Sequence, residues 1–146
     1  MKTVIVDADA CPKPSREIIN ILLQKYPWEL VTIASFNHQI DGEQRHIVVG
    51  DEPQAADLAV MQLAGQGDIV VTQDWGLAAL VMSKGARAIS PRGMIYEEDK
   101  MDFLLEERHI KAQFRRQGGR TKGPAAWSPE DSKRFRTNLE RMLQLS

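Results

Sequence analysis

Residues 1–18 read MKTVIVDADACPKPSREI, and two aspartates, Asp7 and Asp9, stand where an apolar run ends. TVIV (3–6) is β-branched throughout, which suits a strand covered on both faces. The prolines of CPKP and the helical spacing of PSREIINILLQKY (14–26) then predict a loop and a helix opened by Pro14. Strand, loop and helix in that order are one turn of an open α/β sheet. In such sheets ligands bind in the loops beyond the carboxyl ends of the strands. Asp7 and Asp9 therefore mark a candidate site.

The same alternation continues outward. ELVTIAS (29–35) and RHIVVG (45–50) read as strands joined by the polar loop FNHQIDGEQ. GDEPQAADLAVMQLAG (50–65) reads as a helix with an acidic start, Pro53 near its first position and a glycine stop at Gly65. DIVVT (68–72) is the next strand, WGLAALVMSKG (75–85) a helix ended by Gly85, and ARAIS (86–90) a short fifth strand. This order predicts an α/β fold, a parallel sheet with helices on both faces. The remainder is helical: a long helix over 97–118 with acids early and bases late, then one over 128–145 with Ser128 as cap and Asp131 near the capping-box place.

Composition is that of an ordinary globular chain, 42% hydrophobic and 27% charged over 146 residues. We expect one domain, and neither a membrane span nor a signal peptide. Cys11 is the single cysteine, which excludes an internal disulfide and a cysteine zinc cluster and fits a reducing cytoplasm. The net charge of −1 conceals two unlike parts. Residues 1–107, an acidic α/β body, hold nine Lys+Arg against seventeen Asp+Glu, whereas residues 108–146, a basic helical extension, hold ten against three. Such a distribution suits metal on the body and nucleic acid on the arm, or simple docking of one part on the other. Arg115, Arg116, Arg120 and Lys122 cluster around glycines and are the candidate phosphate contacts.

Asp74 follows the strand DIVVT, and Asp57 lies on the helix before it, at the margin of its buried face. In a parallel sheet Asp7 and Asp74 point to one edge. Carboxylates held together repel unless a cation neutralises them, and all-oxygen donors select Mg²⁺ or Mn²⁺. The plainer reading of each aspartate is a turn or helix cap. Cys11 reads as a small packed residue beside a helix start, GGRTKG (118–123) as a connector and Trp75 as packing, and His38, His46 and His109 share no ligand spacing.

TVIVDADA, AADLAVMQLA and DIVVTQDWGLA resemble the PIN-domain nucleases, in which an Asp ends the first strand, a second lies on a helix rich in small residues, and a third follows a Thr after a later strand. More closely, DADACP, SPRG with IYEEDKMDFLL, RRQGG, TKGP and SPEDSKRF resemble the uncharacterised YaiI/YqxD family, grouped as PIN-like, over essentially the whole chain. The resemblance implies a single Rossmann-like, PIN-like domain over 1–146 and metal-dependent phosphodiester hydrolysis, with RNA first among the substrates. By position it implies Asp7, Asp57 and Asp74 as ligands of one or two Mg²⁺ or Mn²⁺ ions, helped by Asp9. The chain departs from the PIN pattern after the third Asp, where Trp75 and Gly76 replace the usual extra acid.

Two alternatives stand beside this one. VIVDADA also resembles the first motif of haloacid-dehalogenase-like phosphatases, in which the first Asp attacks phosphorus. Against it, Ala-Cys follows the DxD where Gly-Thr is usual, and no lysine motif occurs in VTIASFNHQI. A non-catalytic RNA-binding or regulatory protein that keeps the acids is the other.

Overall fold

The computed structural model describes residues 2–35, 45–50, 54–116, 118 and 126–145, apart from the side chains of 100–108. Five strands, β1 (Thr3–Asp7), β2 (Glu29–Ser35), β3 (Arg45–Val49), β4 (Ile69–Val71) and β5 (Arg87–Ile89), form a sheet of order β3-β2-β1-β4-β5. All four pairings are parallel, with Asp7 opposite Ile33 on one side and Val6 opposite Val71 on the other. The helices are α1 (Lys13–Leu22), α2 (Ala55–Leu63), α3 (Trp75–Ser83), α4 (Glu98–Arg116) and α5 (Pro129–Gln144).

Side-chain alternation along the strands builds two cores. Val4, Val6, Ile69 and Val71 face Ile19 and Leu22 of α1 and Phe135 and Leu139 of α5. Ile5, Val31 and Val70 face the opposite way, onto Val60 of α2 and Leu77 and Val81 of α3. Because both faces are covered, the strands are apolar at successive positions rather than at alternate ones. Each fully buried Val or Ile contributes about 1.5–3 kcal/mol of hydrophobic stabilisation. Among the described residues no helix is long and apolar enough to cross a membrane.

Chain direction across the sheet decides where a site can form. From β1 the chain moves outward to β2 and β3, then crosses back to β4 on the other side of β1 and continues to β5. The strand order thus reverses between β1 and β4, and the carboxyl ends of these two strands flank the resulting crevice.

Two local expectations are corrected. The second helix begins at Ala55 rather than at Gly50, and Pro53, expected near its first position, lies outside the described residues. Gln54 at its cap is left-handed, with φ 71°, so helical geometry can start only after it. This helix also stops at Leu63, because Ala64 is already extended, before Gly65 is reached. Between β1 and α1 a 3-10 turn, Ala8–Ala10, which no periodicity signals, carries Asp9.

SPRG is the turn of a small hairpin. Ser90 N–H donates to the Met94 carbonyl (2.8 Å) and Gly93 N–H to the Ser90 carbonyl (2.9 Å), so the chain folds back and Ile95 bridges Ile89. Gly93 has φ 94°, and a Cβ there would stand 2.5 Å from Phe135 N. This close approach lets Asn138 Nδ2 donate to the Gly93 carbonyl (2.6 Å), while Ser15 Oγ donates to Pro91 from α1 (2.7 Å). One turn thereby ties α1 and α5 to the sheet.

Candidate functional site

β1 ends on Asp7, and its carboxylate is only 8% exposed because the strand is central and covered. β4 places Thr72 beside it, fully buried. The Thr72 hydroxyl donates to Asp7 Oδ2 (3.2 Å) and accepts from the Asp74 N–H (3.0 Å). Thr72 is held in turn by its own N–H to Ile89 (3.1 Å) and by the Tyr96 hydroxyl donating to its carbonyl (2.9 Å). The Tyr96 ring meets Trp75 edge-on at 5.1 Å. A buried, fully bonded threonine therefore fixes one acid directly and a second through the backbone.

Asp74 caps α3, accepting the Leu77 N–H at Oδ1 (3.1 Å). That cap is the plainer reading of the residue, and it holds together with a second relation, a position close enough to Asp57 to raise that carboxyl's pKa. Asp57 comes from the first turn of α2, and with Asp74 it lines a cleft of about 250 Å³ between α2 and α3. Gln54, Leu58, Met61, Gly76, Leu77 and Leu80 also line it, with Leu58 and Leu80 about half exposed. A Cβ at Gly76 would stand 3.3 Å from Asp74 Oδ1, so glycine leaves this carboxylate room.

The electrostatics follow from this geometry. Burial pushes the Asp7 carboxyl up to about 6; Thr72 opposes the shift, and the charges of Asp57, Asp9 and Asp74 add to it. Asp57 is raised as well, first by burial, then by the charge of Asp74. Asp7 and Asp57 are thus destabilised in their ionised form, each in part by the charge of Asp74. Among the described residues no three donor side chains stand close enough to enclose one ion. The donor set nonetheless suits Mg²⁺ or Mn²⁺. Magnesium keeps several waters and is usually bound by one or two carboxylates plus substrate phosphates, and Asp57 and Asp74 supply such a pair.

Asp9 is placed differently. It is exposed, and it accepts the Ser35 N–H at 2.9 Å and the Ser35 hydroxyl at 3.4 Å, closing the end of β2. The structure thus puts Asp57 and Asp74 on one cleft, with Asp7 near enough to feel their charge, and ties Asp9 to β2, from where it too acts on Asp7 by charge. Cys11 is buried and its thiol is pushed up to about 12 by burial, so it is no thiolate at neutral pH. His46 Nδ1 lies 2.6 Å from Thr32 Oγ1, His109 is exposed and far along α4, and His38 lies outside the described residues. Of the basic residues, Arg115 and Arg116 are exposed in the last turn of α4, while Arg120 and Lys122 lie outside the described residues. Thr72 and Tyr96 were not singled out in the sequence. The signal for Thr72 was a hydroxyl ending an otherwise aliphatic strand two residues before an acid, whereas nothing local marked Tyr96.

Comparison with known proteins agrees with the motifs. The chain is similar to a "UPF0178 protein" of Heliobacterium modesticaldum, 46% identical over 144 residues, covering 97% of this chain and 96% of that one. A "UPF0178 protein" of Alkaliphilus metalliredigens is 40% identical over 143 residues, covering 97% and 91%. The crystal structure of Rae1 (YacP) from Bacillus subtilis (W164L mutant) aligns over 99% of each chain at 18% identity and a TM-score of 0.45, a likeness of general outline. The model of the family described as "Uncharacterized BCR, YaiI/YqxD family" matches residues 5–145. The chain therefore belongs to the YaiI/YqxD family.

Proposed function

We propose that the β1/β4 crevice binds Mg²⁺ or Mn²⁺ and hydrolyses phosphodiesters, with RNA as the substrate, as in the PIN-like nucleases that the sequence resembles. One observation carries this reading: the charges of Asp57 and Asp74 raise the pKa of Asp7, and that of Asp74 raises the pKa of Asp57, an arrangement that costs stability and that a cation relieves. Asp57 and Asp74 are the half-buried pair that holds the ion. Asp7, oriented by Thr72, lies deeper and contributes charge and a proton acceptor from below. When bound, the ion supplies a water of lowered pKa and neutralises charge on the phosphoryl group. The cleft beside Asp57 receives the substrate, and Arg115, Arg116, Arg120 and Lys122 hold its phosphates.

The phosphatase alternative needs a second carboxyl free to exchange protons above Asp7. Asp9 instead accepts two hydrogen bonds from Ser35, which favours the nuclease reading. The test is cleavage of single-stranded RNA with Mn²⁺ and with EDTA. The wild type should cut only with metal, and Asp57→Asn and Asp74→Asn should each lower the rate by about a hundredfold or more, the scale of losing one group that stabilises the transition state. A covalent BeF₃⁻ adduct on Asp7, or cleavage of monoesters in preference to RNA, would replace this function with the phosphatase one.

A further inference from the structure

A second cleft, about 470 Å³, opens at the opposite edge of the sheet, where α3 ends and β5 begins. Its volume falls in the range of small-ligand pockets, roughly 300–1,000 Å³. Met82, Ile95, Tyr96, Met142 and Leu145 make one wall apolar and partly aromatic. Into the same space come Arg87, from the first position of β5, and Arg141, from the last turn of α5. Arg87 is half-buried, and burial lowers its pKa with no carboxylate acting against that effect. Glu98 also lines the cleft, so among the described lining residues two guanidinium groups stand against one carboxylate.

A desolvated guanidinium without an acidic partner is costly in a fold that serves stability alone. Arg87, partly desolvated, and Arg141, exposed at the rim, border one concave and largely apolar space with two forks of N–H donors, the geometry that recognises phosphoryl oxygens. The thioether and aromatic wall offers surface to an apolar body attached to that group. From this juxtaposition we propose that the cleft is a binding site for a small organic phosphate monoester, its phosphate on Arg87 and Arg141 and its apolar or aromatic body against Met82, Tyr96 and Met142. The site is independent of the acidic crevice, and its failure leaves the proposed nuclease function untouched.

The experiment is titration calorimetry of the full chain in EDTA, so that metal at the acidic crevice takes no part. Phenyl phosphate and uridine monophosphate are the probes, with inorganic phosphate and benzoate beside them. Both phosphate esters should bind, and inorganic phosphate and benzoate at least roughly tenfold more weakly, the loss of one good contact. Arg87→Gln and Arg141→Gln should each weaken ester binding by about tenfold, on the scale of a charge-assisted hydrogen bond. Lys133→Gln, an exposed residue of α5 that does not line the cleft, should bind them as the wild type does. Thermal melting of the Gln variants at or above the wild-type temperature confirms that they are folded. No binding by the wild type, binding that both Gln variants retain, or equal affinity for benzoate or inorganic phosphate would each overturn the proposal.

Discussion

Asp7 and Asp131 are equally hidden, 8% and 7% exposed, yet their surroundings are opposite in sign. Asp131 opens α5. It accepts the Ser128 N–H at 3.0 Å in a capping box and pairs with Arg92 at 2.9 Å and Arg134 at 3.3 Å. The Ser128 backbone and the two guanidinium groups hold its carboxyl below the usual range, with burial opposing them. Arg92 stacks over Trp127 at 5.1 Å, and that ring's N–H donates to Ser132 at 3.0 Å, so the whole corner is bonded. Asp7 has one hydroxyl donor and three carboxylates acting on it, and its pKa rises. A fold that satisfies one buried acid so fully had the means to satisfy the other. The difference separates an acid that fastens a helix from one whose charge the fold leaves uncompensated, as the proposed cation site requires.

The largest effect is expected on the fastened side. Gly93→Ala forces a Cβ into the α5 backbone, 2.5 Å from Phe135 N and 2.6 Å from Arg134 C, at a φ of 94°. Overpacking and left-handed backbone together should cost about 3 kcal/mol or more, read from denaturant unfolding. A variant as stable as the wild type would show that α5 does not depend on this turn.

Next comes the pH dependence of the crevice. With a folded value near 6 and an ordinary value of 3.8, Asp7 binds a proton in the folded state that the unfolded chain has released. Its contribution to stability therefore falls as pH rises from about 4 to 6, and a cost of the order of 3 kcal/mol is fully present above that window. Asp7→Asn keeps the shape without the charge. It should flatten the dependence between pH 4 and 6 and melt above the wild type at pH 7 in EDTA. Melting far below the wild type would make Asp7 a structural cap.

Asp131→Asn should act with the opposite sign and a smaller amplitude. Stability that Asp131 contributes is present above its unfolded pKa and is lost as pH falls through its lowered folded value. The variant should be less stable than the wild type at pH 7 and converge with it in acid below pH 4. Parallel melting curves over that range would remove the contrast between the two acids.

What the sequence displayed and what it hid divide along the same line. The sheet was legible because its strands are short β-branched runs; ELVTIAS, for example, is β2 from end to end. Asp7 and Asp74 were legible because a charge directly after such a run must lie at the sheet edge. The α5 cap was legible too, since Ser128, Pro129 and Asp131 are neighbours in sequence. Long-range relations were not. Arg92 reaches Asp131 across 39 residues, and the contact of Gly93 with Phe135 exists only once α5 has docked. The hydrogen bonds of Asp9 to Ser35 arise from the pairing of β1 with β2 and have no local signature. Asp57 could be named from a motif, but its place beside Asp74 on one cleft depends on how α2 lies beside α3.

Thermal melting at pH 7 with and without Mn²⁺, for the wild type, Asp57→Asn and Asp74→Asn at one protein concentration, tests most directly whether the three acids exist to hold a cation. Mass action predicts that Mn²⁺ stabilises the wild type by about 2.7 kcal/mol at a hundredfold excess over its dissociation constant. Both Asn variants should gain clearly less, while in EDTA Asp57→Asn should melt at or above the wild type because like-charge repulsion is relieved. A wild type whose melting temperature ignores Mn²⁺, or variants that gain as much from it as the wild type does, would contradict the account.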